Sequence, residues 1–161
     1  MTGYHLAQIN VGRLRAPVDH PTIADFVANL DRINALADGL PGFVWRLKGE
    51  GNNATDLQPK PDDPLFAINM SLWADLDALA AFVYRTAHRE IMRRRREWFE
   101  ALETYMCLWW VPVGHTPTIA EGMAKLARFE AHGPTADAFS FKTPFPAPDG
   151  QPATPVLDEC A

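Results

Sequence analysis

Residues 65–73 read Leu65-Phe-Ala-Ile-Asn-Met-Ser-Leu-Trp73, and two kinds of side chain alternate along them. This period of two is typical of a β-strand, whose side chains point in turn to opposite faces of the sheet. One set is apolar, and the other mixes an amide, a hydroxyl and an indole: Asn69, Ser71 and Trp73. The strand therefore predicts a sheet with one apolar face and one mixed face.

A second strand repeats this pattern at the start of the chain. Residues 4–12 place Gln8 and Asn10 on one face, with Ala7, Ile9 and Val11 on the other. Asparagine is uncommon in strands, and a buried amide needs hydrogen-bond partners. Asn10, Asn69, Ser71 and Trp73 are therefore candidates to line a ligand cavity, where the amides would orient a carbonyl or dioxygen. A structural hydrogen bond is the alternative role.

The sequence also predicts helices and two further strands, some between these two segments and some after them. Apolar spacing predicts a helix from Thr22, with Asp25 completing a capping box, and strands near 43–48 and 105–111. A long helical region is predicted from Asp75 to Leu102, and another helix starts at Thr118, with Glu121 three residues later. Between the middle strands, residues 49–64 are polar and rich in glycine and proline, which suggests a mobile lid.

The resulting order of elements is strand-helix-strand-strand-helix-strand, which predicts an α+β, ferredoxin-like βαββαβ sheet. We expect its helices on one face, over the apolar side chains, with a C-terminal helix and an extended tail in addition. The mixed face would then need cover from a second copy, so the prediction is a homodimeric α/β barrel. Residues 1–147 form the single domain, and residues 148–161 form a flexible C-terminal tail.

Composition limits the classes of function. A chain of 161 residues with a net charge of −5 has its arginines concentrated in one run, which argues against nucleic acid as a partner. No apolar stretch is long enough to span a membrane and no signal peptide is visible, so we expect a cytoplasmic protein without membrane partners. Histidines and cysteines lack metal-ligand spacing, and no metal site is predicted.

His88 is the strongest candidate for a catalytic or ligand-binding residue. It lies four residues after Tyr84 and seven before Arg95, so the three side chains fall on one stripe of the predicted helix. A neutral imidazole there could act as a general base or as an iron ligand, whereas a histidine bonded to a loop carbonyl would be structural. Tyr84 and Arg95 are candidate substrate contacts, with Arg95 meeting a carboxylate.

Two other residues complete the candidate site. Arg46 lies in a short strand next to Trp45, and an inward arginine would need an anion, either from a ligand or from the protein. Trp109 and Trp110 point to opposite faces of the last strand, so at most one lines the cavity, and Trp109 is the candidate.

Several segments together resemble the bacterial family known as domain of unknown function 3291, over about residues 4 to 147. They are Tyr4 to Asn10, Gly12 to Pro17, Pro41 to Arg46, Asn69 to Trp73, Phe82 to Arg85 with His88, Arg94 to Phe99, and Leu108 to Pro112. That family is similar in turn to the antibiotic-biosynthesis and haem-degrading monooxygenases, which are dimeric α/β barrels. The resemblance implies that Asn10, Trp73 and His88 take the catalytic places.

Three functions remain open at this point. The first is a cofactor-independent monooxygenase-like or proton-transfer enzyme acting on an aromatic or polyketide-like substrate. The second is a haem-binding or haem-degrading protein with His88 as the iron ligand, so that haem is the one cofactor considered. The third is a metabolite-binding protein without turnover.

Overall fold

The architecture was taken from a computed structural model that describes residues 3–150. Four strands form the sheet: β1 (Tyr4–Arg13), β2 (Phe43–Arg46), β3 (Phe66–Trp73) and β4 (Met106–Pro112). Five α-helices accompany them: α1 (Ala24–Asp38), α2 (Leu76–Arg85), α3 (His88–Arg93), α4 (Arg95–Trp98) and α5 (Ile119–His132). A short 3-10 helix, Pro21–Ile23, precedes α1. The predicted order of strands and main helices is confirmed, and the class is α+β.

The four strands form one antiparallel sheet in the order β2-β3-β1-β4. In its centre Gln8 is opposite Ser71, and Asn10 is opposite Asn69. The two sequence-distant polar pairs therefore lie side by side on one face, which confirms the predicted alternation. An irregularity between Phe43 and Trp45 in β2 changes the parity, so that Phe43 and Arg46 both lie on this face.

The placement of the helices differs from the prediction. The apolar face, with Ile9 and Met70, packs against α5. The mixed face, with Leu6 and Trp73, packs against α1 and α2. Helices therefore lie on both faces, and part of the mixed face is inside the chain, although Asn69 is exposed. Gln8 and Ser71 can be buried because their side chains bond to one another and do not require water.

The C-terminal segment adds cover to the same face. Phe139 and Phe141 are buried against α2 and β4. The backbone of Phe139 exchanges two hydrogen bonds of 2.8 Å with Leu108, which closes part of the β4 edge. The chain's own helices and C-terminal segment thus cover part of the mixed face, whose cover the prediction of a sheet-to-sheet dimer gave to a second copy. Self-association itself stays a prediction.

The long helix predicted from Asp75 to Leu102 is three shorter ones. The break lies at Thr86, whose backbone is extended. Its hydroxyl donates to the Phe82 carbonyl at 2.6 Å and accepts from the His88 amide at 3.2 Å. A threonine side chain can replace helical backbone bonds in this way, and it ends α2 here. As a result His88 begins a new helix.

The two predicted capping boxes have different outcomes. Thr118 accepts a hydrogen bond from the Glu121 amide at 3.1 Å and caps α5, as predicted. Thr22 does not cap α1: it lies in the 3-10 helix, where its amide donates to His20 Nδ1. Pro21 begins this 3-10 helix and His20 caps it, so the helical segment starts before the Thr22 that the capping-box pattern selects.

None of the helices in residues 3–150 is both long enough and apolar enough to cross a membrane. The tail predicted for residues 148–161 lies outside the described residues beyond Gly150.

Candidate functional site

A large cavity is lined mainly by the mixed face of the sheet and the helices beside it, and also by apolar-face residues such as Val11 and by Phe129 of α5. Its volume is about 680 Å³, within the range of small-molecule sites, which is about 300 to 1,000 Å³. The sheet forms its floor, α1 one wall, and α2 to α4 the opposite wall. Eight of the nine predicted site residues line it: Asn10, Arg46, Asn69, Ser71, Trp73, Tyr84, His88 and Arg95. Trp109 is the exception.

The floor contains a connected polar cluster. Trp73 Nε1 donates to Ser71 Oγ at 2.8 Å, and Gln8 Nε2 donates to the same oxygen at 3.0 Å. Gln8 Nε2 also lies 3.3 Å from Asn69 Oδ1. Gln8 and Ser71 are each 7% exposed and Trp73 is 0% exposed, so these bonds compensate for burial. The structural role that the sequence left open is therefore present.

The same cluster still has donors to offer. A serine hydroxyl accepts two hydrogen bonds and donates one. Both acceptor positions of Ser71 are used, and none of its partners in residues 3–150 accepts from it. Because Asn69 turns its oxygen to Gln8, its amide nitrogen also remains a donor. The floor thus presents donors from Ser71 and Asn69, with the Asn10 amide directly opposite Asn69.

His88 lies on the wall opposite α1. Its Nδ1 is buried and has no hydrogen-bond partner within the part of the chain that the structure describes. Burial lowers the pKa of His88 to about 4, and a hydrogen bond with the Val83 backbone opposes that shift only in part. The ring is therefore neutral at pH 7, with an acceptor or donor position unused.

Aromatic rings connect His88 to the floor. The His88 ring lies 4.7 Å from the Phe82 ring, and Phe82 stacks on Trp73 at 5.3 Å. These two steps place the imidazole within about 10 Å of the Trp73 ring. Phe43 meets the other side of Trp73 edge-on at 5.4 Å. A flat fused-ring molecule has the shape and length to touch both the imidazole and the floor.

Arg46 is inward, as predicted, but the protein supplies its anion. The side chain is 6% exposed, and its Nε lies 2.8 Å from Asp38 Oδ1 at the end of α1. It also donates to the backbone oxygen and to Oδ1 of Asn52, in the segment 49–64. The hydrogen bond from Arg46 lowers the pKa of Asp38. Arg46 therefore fastens that segment to α1 and retains little capacity for a ligand.

The segment 49–64, the predicted lid, forms one end of the cavity through Asn53, Thr55 and Gln58. It has internal structure: Asp56 accepts a hydrogen bond from the Glu50 amide at 2.8 Å, and Gly49 donates to the Asn53 carbonyl. A side chain at Gly49 would collide with the Asp56 carboxylate. Whether the segment opens stays a prediction.

Arg95 and Tyr84 differ in their surroundings. Tyr84 packs edge-on against Phe141 at 5.5 Å, where the C-terminal segment crosses α2. The Arg95 guanidinium lies over the Tyr105 ring at 3.9 Å. No ion pair or hydrogen bond joins the Arg95 side chain to another residue between 3 and 150. Its neighbour Arg94 is paired with both Asp25 and Glu97.

Trp109 lies on the other side of the sheet. It is opposite Ala7, packs in the core under α5, and donates from Nε1 to Glu121 at 3.1 Å. Neither Trp109 nor Trp110 lines the cavity, and the choice of Trp109 was wrong because alternation within β4 does not say which of its residues share a face with Gln8 and Asn10. Trp110 is on the cavity side of the sheet and donates to the Phe145 carbonyl.

Sequence reasoning missed several residues of the cavity. Gln8 shares the parity of Asn10, so the strand pattern could have included it. Phe82 and Tyr105 gave no signal, because an aromatic residue in a helix or loop usually belongs to the core. Asn34 lies on α1 beside the buried Ile33, and only the position of that helix makes it part of the wall.

Few side chains in the described part of the chain could hold a metal ion or a haem group. Between residues 3 and 150, no cluster of three or more histidine, cysteine, aspartate or glutamate residues could hold a metal ion. Haem would need a single axial ligand, and neutral His88 with its unused Nδ1 has suitable chemistry. Arg95, without a carboxylate partner in the described chain, would suit a propionate.

Comparison with known proteins gave one family and one distant structural match. A crystal structure of NE2512, a protein of unknown function from Nitrosomonas europaea, is similar at 13% sequence identity and a TM-score of 0.44. The match covers 71% of this chain and 94% of that chain, and similarity at this level supports no conclusion. No curated protein matched. The family profile described as domain of unknown function 3291 matches residues 5–154, and the chain belongs to that family.

Proposed function

We propose that this chain is an enzyme that transfers a proton to or from a small aromatic or polyketide-like molecule, as a cofactor-independent monooxygenase-like or isomerising enzyme does. The main support is His88, a neutral imidazole with a buried and unused Nδ1 on the wall of a cavity of about 680 Å³. An unpaired buried polar atom costs stability, so its presence at a cavity points to a function.

In this proposal His88 takes a proton from an acidic carbon or a phenol of the bound molecule. The substrate oxygen that becomes negative would accept hydrogen bonds from Ser71 and Asn69, with Asn10 beside them. Donors placed in advance around a developing oxyanion are among the largest contributions to catalysis. Trp73 acts indirectly, because its Nε1 holds the Ser71 hydroxyl in its donating orientation.

The lowered pKa of His88 restricts the substrate. An imidazole with a pKa of about 4 is always in the basic form at pH 7, but it is a weak base. The substrate must therefore be acidic, as activated ring systems are, or its anion must be strongly stabilised. A developing oxyanion near the ring would also raise the pKa of His88, because opposite charges favour the protonated form.

Hydrogen exchange at carbon tests the proposal whatever the final product of the reaction is. Fused-ring aromatic ketones with acidic carbon–hydrogen bonds are incubated with the protein in deuterated buffer, and proton loss is followed by NMR together with oxygen consumption. We expect catalysed exchange that is constant between pH 6 and 8, because His88 is deprotonated throughout. His88→Ala should abolish it, and His132→Ala, at an exposed position, should not.

Two results would count against a catalytic His88. Equal exchange in the protein and in His88→Ala would remove His88 from the mechanism. A loss of stability of roughly 1 to 3 kcal/mol in His88→Ala, with exchange retained, would assign the residue a structural role.

Haem is the second candidate ligand, favoured by the unused ring nitrogen of His88. Bound haem would supply electron and oxygen chemistry that the side chains lack. Haem titration distinguishes the two candidates. A shifted Soret band that disappears in His88→Ala supports haem, whereas an unchanged haem spectrum supports the cofactor-independent proposal.

A further inference from the structure

Arg95 carries the one charge on the cavity wall that is both partly buried and without an ion pair among residues 3–150. Five residues with permanently or normally charged side chains line the cavity: Arg46, Arg95, Glu100, Glu103 and Lys142. Arg46 is paired with Asp38, and Glu100 is paired with Arg13. Glu103 and Lys142 are exposed to solvent. Arg95 is half-buried and has no ion pair with another residue between 3 and 150.

The contact with Tyr105 leaves the donors of Arg95 available. The guanidinium lies over the Tyr105 ring, with Cζ 3.9 Å from its centre, and this contact uses none of its N–H groups in a hydrogen bond. The N–H groups of a guanidinium point outward in its own plane, where they can form two parallel hydrogen bonds with an anion. The contact with Tyr105 also restricts the position of the guanidinium, which lowers the entropy lost when an anion binds.

Resting on the proposed function, we propose that the ligand of this cavity is an anionic aromatic molecule, whose carboxylate or similar group binds Arg95. The aromatic part lies along Phe82 and His88, and the charged group lies beside Tyr105. A cationic molecule is disfavoured, since Arg95 and Lys142 outnumber the unpaired Glu103 at the cavity. Glu103 is exposed and would be the residue that repels an anion weakly.

Two dyes with the same aromatic framework test this inference. Anilinonaphthalene sulfonate carries an anionic group, and phenylnaphthylamine lacks it; both fluoresce when they enter an apolar site. Fluorescence titrations give the dissociation constant of each dye. Arg95→Gln should raise the dissociation constant of the sulfonate dye about tenfold or more, because a hydrogen bond to a charged group is lost. The uncharged dye should bind Arg95→Gln as it binds the unmodified protein.

Arg96→Gln is the matched control. Arg96 is the next residue in α4, is exposed and does not line the cavity, so the variant makes the same change in net charge. It should leave both dyes unaffected. Arg95→Lys keeps the charge without the planar donors and should give an intermediate affinity for the sulfonate. Near-ultraviolet circular dichroism verifies that each variant is folded.

The possible outcomes distinguish this inference from the proposed function. The anion site is wrong if Arg95→Gln weakens the binding of both dyes equally. It is also wrong if Arg96→Gln weakens the binding of the sulfonate dye as much as Arg95→Gln does. In both cases the aromatic-binding cavity is retained. If neither dye binds the unmodified protein, the aromatic ligand and the proposed function fail together. A crystal structure with the sulfonate dye should place its oxygens about 3 Å from the Arg95 guanidinium.

Discussion

At the scale of residues, the chemistry of His88 and Ser71 follows from burial more than from residue type. The sequence could identify both residues as candidates, Ser71 from strand parity and His88 from helical spacing. It could not give the pKa of His88, which depends on how completely α2, α3 and Phe82 exclude water. Nor could it show that the indole of Trp73 turns back to Ser71 and does not point at a ligand.

The lowered pKa of His88 predicts a pH dependence of stability. Above pH 6.5 the ring is neutral in both the folded and the unfolded chain. As the pH falls from 6.5 to about 4, the unfolded chain takes up a proton and the folded one does not, so stability is lost. We expect a loss of about 2 kcal/mol at pH 5 relative to pH 7.5 from this group.

Urea unfolding at pH 5 and pH 7.5 measures this loss. His88→Gln should reduce the difference between the two pH values, and His132→Gln, at an exposed position, should leave it as in the unmodified protein. An identical pH dependence in His88→Gln would show that the imidazole is accessible to water and that its pKa is ordinary.

Ser71→Ala should destabilise the protein because it removes the acceptor of a buried indole. Trp73 Nε1 would lose its acceptor, and Gln8 Nε2 would keep only its longer hydrogen bond to Asn69 Oδ1. We expect a cost of about 2 kcal/mol in the free energy of unfolding, measured by urea denaturation. Combining Ser71→Ala with Trp73→Phe, which removes one of the donors, should cost less than the sum of the single changes. Additive costs would mean that the hydrogen bond contributes little.

At the scale of elements, strand alternation predicted the sheet well, and helix continuity was predicted poorly. Alternation along a strand shows which of its residues share a face of the sheet, and this assignment does not depend on what covers the face. It does not record which face the helices take, because a polar cluster that satisfies itself can be buried as well as an apolar one. The break at Thr86 also depends on a hydroxyl that competes with the helix backbone, and apolar spacing does not register it.

Arg46 links two elements, and its removal should loosen the segment 49–64. Arg46→Met removes the bonds to Asp38 and Asn52 together. Because the Asp38 side chain is 42% exposed and regains water, we expect a stability loss of only about 1 to 3 kcal/mol. Amide exchange in residues 49–64 should become faster, and a cavity ligand should slow it in the unmodified protein.

Lys48→Met is the control for this prediction, since Lys48 is exposed and follows the same strand. It should leave exchange in residues 49–64 unchanged. If Arg46→Met also left exchange unchanged, the segment would be held by its internal bonds around Asp56.

At the scale of the whole molecule, one chain supplies the elements that line the cavity. α1 and α2 cover the mixed face, α5 covers the apolar face, and Phe139 and Phe141 add the C-terminal segment. The sequence pattern instead predicted that a second chain covers the mixed face. Ligand binding should therefore have a stoichiometry of one per chain, whatever the state of association found by light scattering.

The most direct test of the account fills the cavity from α1. Asn34 lines the cavity and its side chain forms no hydrogen bond with residues 3–150, so Asn34→Trp adds a large ring there without breaking a polar contact. Ala35→Trp adds the same ring at the next position, which is exposed and outside the cavity. Phenylnaphthylamine fluorescence should show binding to the unmodified protein and to Ala35→Trp, and none to a folded Asn34→Trp. Equal binding to Asn34→Trp would contradict the account, because the aromatic ligand would then lie elsewhere.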